Sequence, residues 1–81
     1  MGVMPRRLAP YREFGDWLRA TRDAIGMSQT DLSIKMGRSV SFIGKIETAQ
    51  RRLDIIEFGE LADALGVAPT KLYDRYCRTR K

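Results

Sequence analysis

"MGRSVSFIGKIE", residues 36–47, is the stretch on which the fold turns. Ile43 and Ile46 recur at helical spacing and mark one stripe as core. The other side carries Ser39, Ser41 and Gly44, all small, beside the bulky Phe42. A glycine inside a helix costs roughly 1 kcal/mol relative to alanine. A helix face thinned in this way points to something that comes close to its backbone.

An earlier helix precedes this one. Ser28 is a good N-cap, and Asp31 places a carboxylate at the free amides and positive end of "SQTDLSIKM". Leu32 and Met36 point inward, and Gly37 ends the helix. Ser39 is expected to cap the next one, which runs to about Thr48. Two helices joined by only "GRS" must cross steeply, the helix-turn-helix unit. Ser33 is small where the pair comes closest, and Ile43 and Ile46 anchor the second helix.

Further out, residues 11–25 read as a first helix, with Phe14, Leu18, Thr21 and Ile25 on one stripe, Trp17 beside it and Gly26 as its stop. "AQRRL" is a loop. Asp54 caps a helix whose stripe is Ile55, Phe58, Leu61, Ala62 and Leu65, stopped by Gly66. Thr70 or Ala68 opens a short last helix with Leu72, Tyr73 and Tyr76, Pro69 lying near its first turn. No stretch alternates with period two. The expected fold is all-α: five helices over residues 11–76, a flexible arm at 1–10 and a basic tail at 77–81.

Composition narrows the function. The 81 residues allow one modest core. No apolar run is long enough to span a bilayer, and "MGVMPRRLAPYR" lacks the apolar core of a signal peptide, so a cytoplasmic protein without a membrane partner is expected. There is no histidine, and Cys77 is the single cysteine. A disulfide framework is excluded, and no metal or cofactor is expected. Without a histidine base or a glycine-rich phosphate loop, an enzyme is not expected. Residues 28–53 hold five basic side chains (Lys35, Arg38, Lys45, Arg51, Arg52) and two acidic ones (Asp31, Glu47), a net +3. Residues 54–74 hold five acids and only Lys71, a net −4. Such polarity presents one face to a polyanion.

These residues resemble the XRE family of helix-turn-helix regulators, related to phage lambda repressor and Cro. The resemblance runs from about Phe14 to Tyr73. It rests on Arg22, "GMSQTDLSIKMG", "SFIGKIE" and "RRLDIIEFGELADALGV", the last similar to a small stand-alone subgroup. It implies a five-helix lambda-repressor-like fold. It also implies a sequence-specific regulator, repressor or autoregulator, that reads the major groove of double-stranded operator DNA with a helix at about 39–48.

The resemblance implies roles for individual residues. Val40, Ser41 and Lys45 face the bases: Lys45 can donate to guanine O6 or N7, Ser41 donates or accepts, and Val40 touches a thymine methyl. Phe42 either joins them at a thymine methyl or sugar, or packs on the second helix. Relatives often carry Gln where Val40 stands, so no relative's operator transfers. Gln29 meets phosphate and buttresses the recognition helix; Ser28 adds its hydroxyl or serves only as the cap. Arg38, Thr48, Gln50, Arg51 and Arg52 are expected at the DNA backbone. Arg22 and Glu47 form an ion pair between the first helix and the end of the recognition helix.

One recognition helix covers few base pairs, so a homodimer is expected, with Val67, Leu72, Tyr73 and Tyr76 as its interface. The competing function is a protein-interaction module, an antitoxin or anti-activator with a protein partner. The intact basic face, Gln29 and Arg51 favour DNA over it. RNA is disfavoured because no aromatic platform for stacking bases is present.

Overall fold

The computed structural model describes residues 8–79. Within them lie five helices and no strand: α1 (Ala9–Ala24), α2 (Gln29–Lys35), α3 (Phe42–Glu47), α4 (Ile55–Leu65) and α5 (Pro69–Thr79). Leu18, Leu32, Ile43, Ile46, Leu61, Ala62 and Leu72 form one core, drawn from every helix. Phe14, Trp17, Met36, Phe58 and Leu65 pack partly buried against it.

The outer helices close on each other through aromatic rings. Phe14 and Trp17 of α1 stand 5.2 and 5.3 Å from the Tyr76 ring of α5, both edge-on. Tyr73 meets Phe58 of α4 in the same way at 6.1 Å. Such pairs contribute about 0.5–1.5 kcal/mol each beyond the area they bury.

Two boundaries and two stripe positions differ from expectation, each for a local reason. α1 begins at Ala9, within the stretch expected to be an arm, with Pro10 in its first turn; proline fits there because its missing N–H would have no partner anyway. Residues 1–7 of that arm, and residues 80 and 81 of the tail, lie outside the described residues. α5 runs on to Thr79, so Cys77 and Arg78 are helical. Ile25 is not on the core stripe: it follows the end of α1, where the chain turns, and is 54% exposed. Ile55 also leaves its stripe, at 80% exposure, because it is the first residue of α4 and stands beyond the cover of the core.

Candidate nucleic-acid interface

The pair α2–α3 is built by short-range devices. The Ser28 hydroxyl accepts from the Asp31 N–H at 3.0 Å, and the Asp31 carboxylate accepts from the Ser28 N–H at 3.3 Å. This reciprocal capping box satisfies two free amides of α2. Gly37, at φ +73°, turns the chain in a left-handed geometry that a Cβ would penalise.

α3 begins at Phe42, three residues beyond the expected cap at Ser39. Ser39 instead closes a turn with its carbonyl, which accepts from the Phe42 N–H at 3.0 Å. The hydroxyl that reaches into the start of α3 belongs to Ser33. Fully buried on α2, it donates to the Gln29 carbonyl at 2.8 Å and accepts from the Ile43 N–H at 3.0 Å. Its small size was legible in the sequence. Its hydrogen bond was not, because the amide it satisfies lies ten residues away.

Behind the pair sits a buried charge cluster. Glu47 receives Arg22 through Nε at 2.8 Å and Nη2 at 3.1 Å, and Gln29 through Nε2 at 2.9 Å. The remaining Arg22 nitrogen donates to the Met27 carbonyl at 2.9 Å and to Asp23 at 3.1 Å. The bond to Glu47 raises the Arg22 pKa against the opposing effect of burial. Among the described residues, every buried side-chain polar atom has a partner.

Gln29 therefore spans α2 and α3, and Gly44 gives it room. A Cβ on Gly44 would stand 3.2 Å from the Gln29 amide oxygen. The glycine in "SFIGKIE" is thus explained inside the protein: its bare face receives Gln29. Gly15 on α1 plays a stricter version of this role. A Cβ there would lie 2.8–2.9 Å from the backbone carbon and Cα of Glu47, so α1 and α3 touch backbone to backbone. No sequence signal marked Gly15.

Val40 and Ser41 just before α3, Lys45 on it and Thr48 just after it are all exposed. Ser41, Lys45 and Thr48 fall at helical spacing along one edge. The Thr48 hydroxyl donates to the Gly44 carbonyl at 2.9 Å, and Gln50 Nε2 donates to that hydroxyl at 2.8 Å. α3 ends in a six-residue wrap: Gln50 N–H donates to the Lys45 carbonyl at 2.8 Å and Ala49 N–H to Ile46 at 3.1 Å. Ala49, at φ +61°, holds the left-handed position usually given to glycine.

Phe42 is not on the outward side. It is 5% exposed, part of the core, with the guanidinium groups of Arg38 and Arg51 resting on its ring at 5.2 and 4.8 Å. Of its two expected placements, packing prevails over base contact. Arg38 and Arg51 are also held by acidic side chains of α4. Arg38 meets Glu60 at 2.6 Å and Glu57 at 3.6 Å. Arg51 holds both oxygens of Glu57 at 2.7 Å. The hydrogen bond from Arg51 is the chief reason the Glu57 carboxyl is lowered to about 2. Arg52 stacks on Tyr11 at 5.2 Å and stays exposed.

The residues expected at a dimer interface separate. Leu72 is fully buried in the core, and Tyr76, 9% exposed, packs edge-on against Phe14 and Trp17 of α1. Val67 packs partly buried against the core, and Tyr73 is 52% exposed. Tyr73 lines an apolar groove of about 660 Å³ together with Tyr11, Phe14, Ile55, Phe58 and Pro69. No group of metal-ligating side chains occurs among the described residues, and no helix there is long and apolar enough to cross a membrane.

A family model described as "Helix-turn-helix domain" matches residues 13–76. Two solved structures are similar. The restriction-modification controller protein C.AhdI from Aeromonas hydrophila is 36% identical, with a TM-score of 0.72 over 79% of this chain and 97% of that one. An XRE-family like protein from Pseudomonas syringae pv. tomato is 37% identical, with a TM-score of 0.73 over 89% of each chain. No curated protein matches the sequence.

Proposed function

This chain belongs to the XRE-type helix-turn-helix family, the DNA-binding transcriptional regulators, and on that premise we propose that it is a repressor or autoregulator that reads the major groove with α3. The observation that carries this is the exposed edge of α3. Val40, Ser41 and Lys45 stand clear of the core, while every large apolar residue of the helix is buried. Lys45 donates to guanine, Ser41 to a base edge or phosphate, and Val40 meets a thymine methyl. Ser28, Gln29, Thr48, Gln50, Arg51 and Arg52 flank the groove at the phosphates. Its place of action is the cytoplasm, with the DNA.

A second copy completes the site, since one short helix specifies few base pairs. The surface that suits it is the groove at the start of α4 and the outer side of α5. There Ile55, Ile56 and Tyr73 are 80%, 69% and 52% exposed. The controller function printed for the Aeromonas protein favours a regulator here.

Fluorescence anisotropy against random duplex and the DNA upstream of the protein's own gene, at two salt concentrations, tests this. Saturable, salt-resistant binding to the upstream DNA, lost in a Ser41→Ala/Lys45→Ala variant, is expected of an autoregulator. Folded protein that binds neither duplex at low salt would shift the assignment to a protein-interaction module.

A further inference from the structure

A guanidinium has five N–H donors arranged along its planar edges. Arg51 uses three of them inside the protein: Nη1 to Glu57 Oε1 at 2.7 Å and to the Arg52 carbonyl at 2.8 Å, and Nη2 to Glu57 Oε2 at 2.7 Å. The Nε–H and the second Nη2–H share the remaining edge, which meets no acceptor among the described residues, and Arg51 is exposed. Two parallel donors match two oxygens of a phosphate. Arg22 differs, because its Nε–Nη2 edge is consumed by buried Glu47.

Glu57 governs where that open edge points. Glu57 is 5% exposed, and its carboxylate is fixed by the Asp54 N–H at 3.1 Å and shared with Arg38 at 3.6 Å. Phe42 supports both guanidinium planes. We infer that Glu57 is a positioning residue for DNA binding, which holds Arg51 by one edge and presents the other to a backbone phosphate. The inference rests on the DNA-binding function above. Glu57 itself touches no DNA. It replaces the loose rotamers of a free arginine with one fixed orientation, so less freedom is lost when phosphate arrives.

The sign of one substitution separates this role from plain electrostatics. Glu57→Gln removes a negative charge, which by itself tightens binding to a polyanion. Gln also keeps the reach back to the Asp54 N–H, so the helix cap survives. Loss of positioning has the opposite effect: binding to a random duplex at low salt, read by anisotropy, is expected to weaken about tenfold, the loss of one charge-assisted contact. The log–log salt slope should fall by ~0.9, one phosphate fewer. In an Arg51→Ala background the same substitution should weaken nothing further. Arg51→Lys, which keeps the charge but lacks the second edge, carries the same expectation should Glu57→Gln fail to fold by circular dichroism. Tighter or unchanged binding by the folded variants, with wild type binding normally, overturns the positioning role alone. Wild-type protein that binds no duplex overturns both this role and the DNA-binding function.

Discussion

Gly15 on α1 and Glu47 at the end of α3 meet backbone to backbone, with no room for a side chain between them. The contact sets the depth at which α3 seats on the rest of the protein. Gly15→Ala improves local helix propensity by about 1 kcal/mol. Because the obstructing atoms are backbone, the helices must separate, and overpacking of this kind costs about 1–3 kcal/mol. The variant should be less stable than wild type in urea denaturation, despite the better helix former.

Arg22 and Glu47 are both buried, so the loss of one strands the other. Arg22→Ala should cost about 3–5 kcal/mol. Gln29 alone cannot balance the Glu47 charge. The loss should appear as a lowered denaturation midpoint, and protein that remains folded should still bind DNA.

Ala49 predicts a gain. It occupies the left-handed position after α3, which costs a residue with a Cβ about 1–2 kcal/mol. Ala49→Gly should stabilise the fold, by about 1 kcal/mol after the greater freedom of glycine in the unfolded chain is counted. Thermal unfolding followed by circular dichroism measures it; a lower midpoint would show that the wrap after α3 carries no strain.

Glu57 gives the fold an acid sensitivity. Its carboxyl lies at about 2 in the folded protein against an ordinary 4.5, held down first by the Arg51 hydrogen bond. A depressed carboxyl stabilises fully above its unfolded value, and the contribution is lost as pH falls toward the folded one. Wild type should therefore lose stability between about pH 4.5 and 2 more steeply than Glu57→Gln. Denaturation midpoints compared across that window check the difference.

The sequence carried those features whose causes are local. Caps at Ser28 and Asp54, the turn at Gly37 and the stripes of α1 and α4 each rest on residues within a few positions of one another. Contacts across the chain were less visible. Phe42 carries no mark that tells an aromatic beneath two arginines from one against DNA. Gly44 looked thinned for an outside partner, although the partner is Gln29. Arg51 looked like a free cation because its acid, Glu57, sits in a segment whose charges average to solvated helix surface. Tyr76 has the pattern of an unpartnered face until Phe14 and Trp17 of α1 pack against it.

The seam between Trp17 and Tyr76 also orders events in time. Joining α2 to α3 closes only a short turn, whereas bringing residue 17 to residue 76 closes a far longer loop, and the entropy lost in closing a loop grows with its length. The helix-turn-helix pair, built from local contacts, is therefore expected to assemble before the aromatic seam closes. Trp17 is the only tryptophan, so its fluorescence reports the closing of that seam around the helix-turn-helix pair.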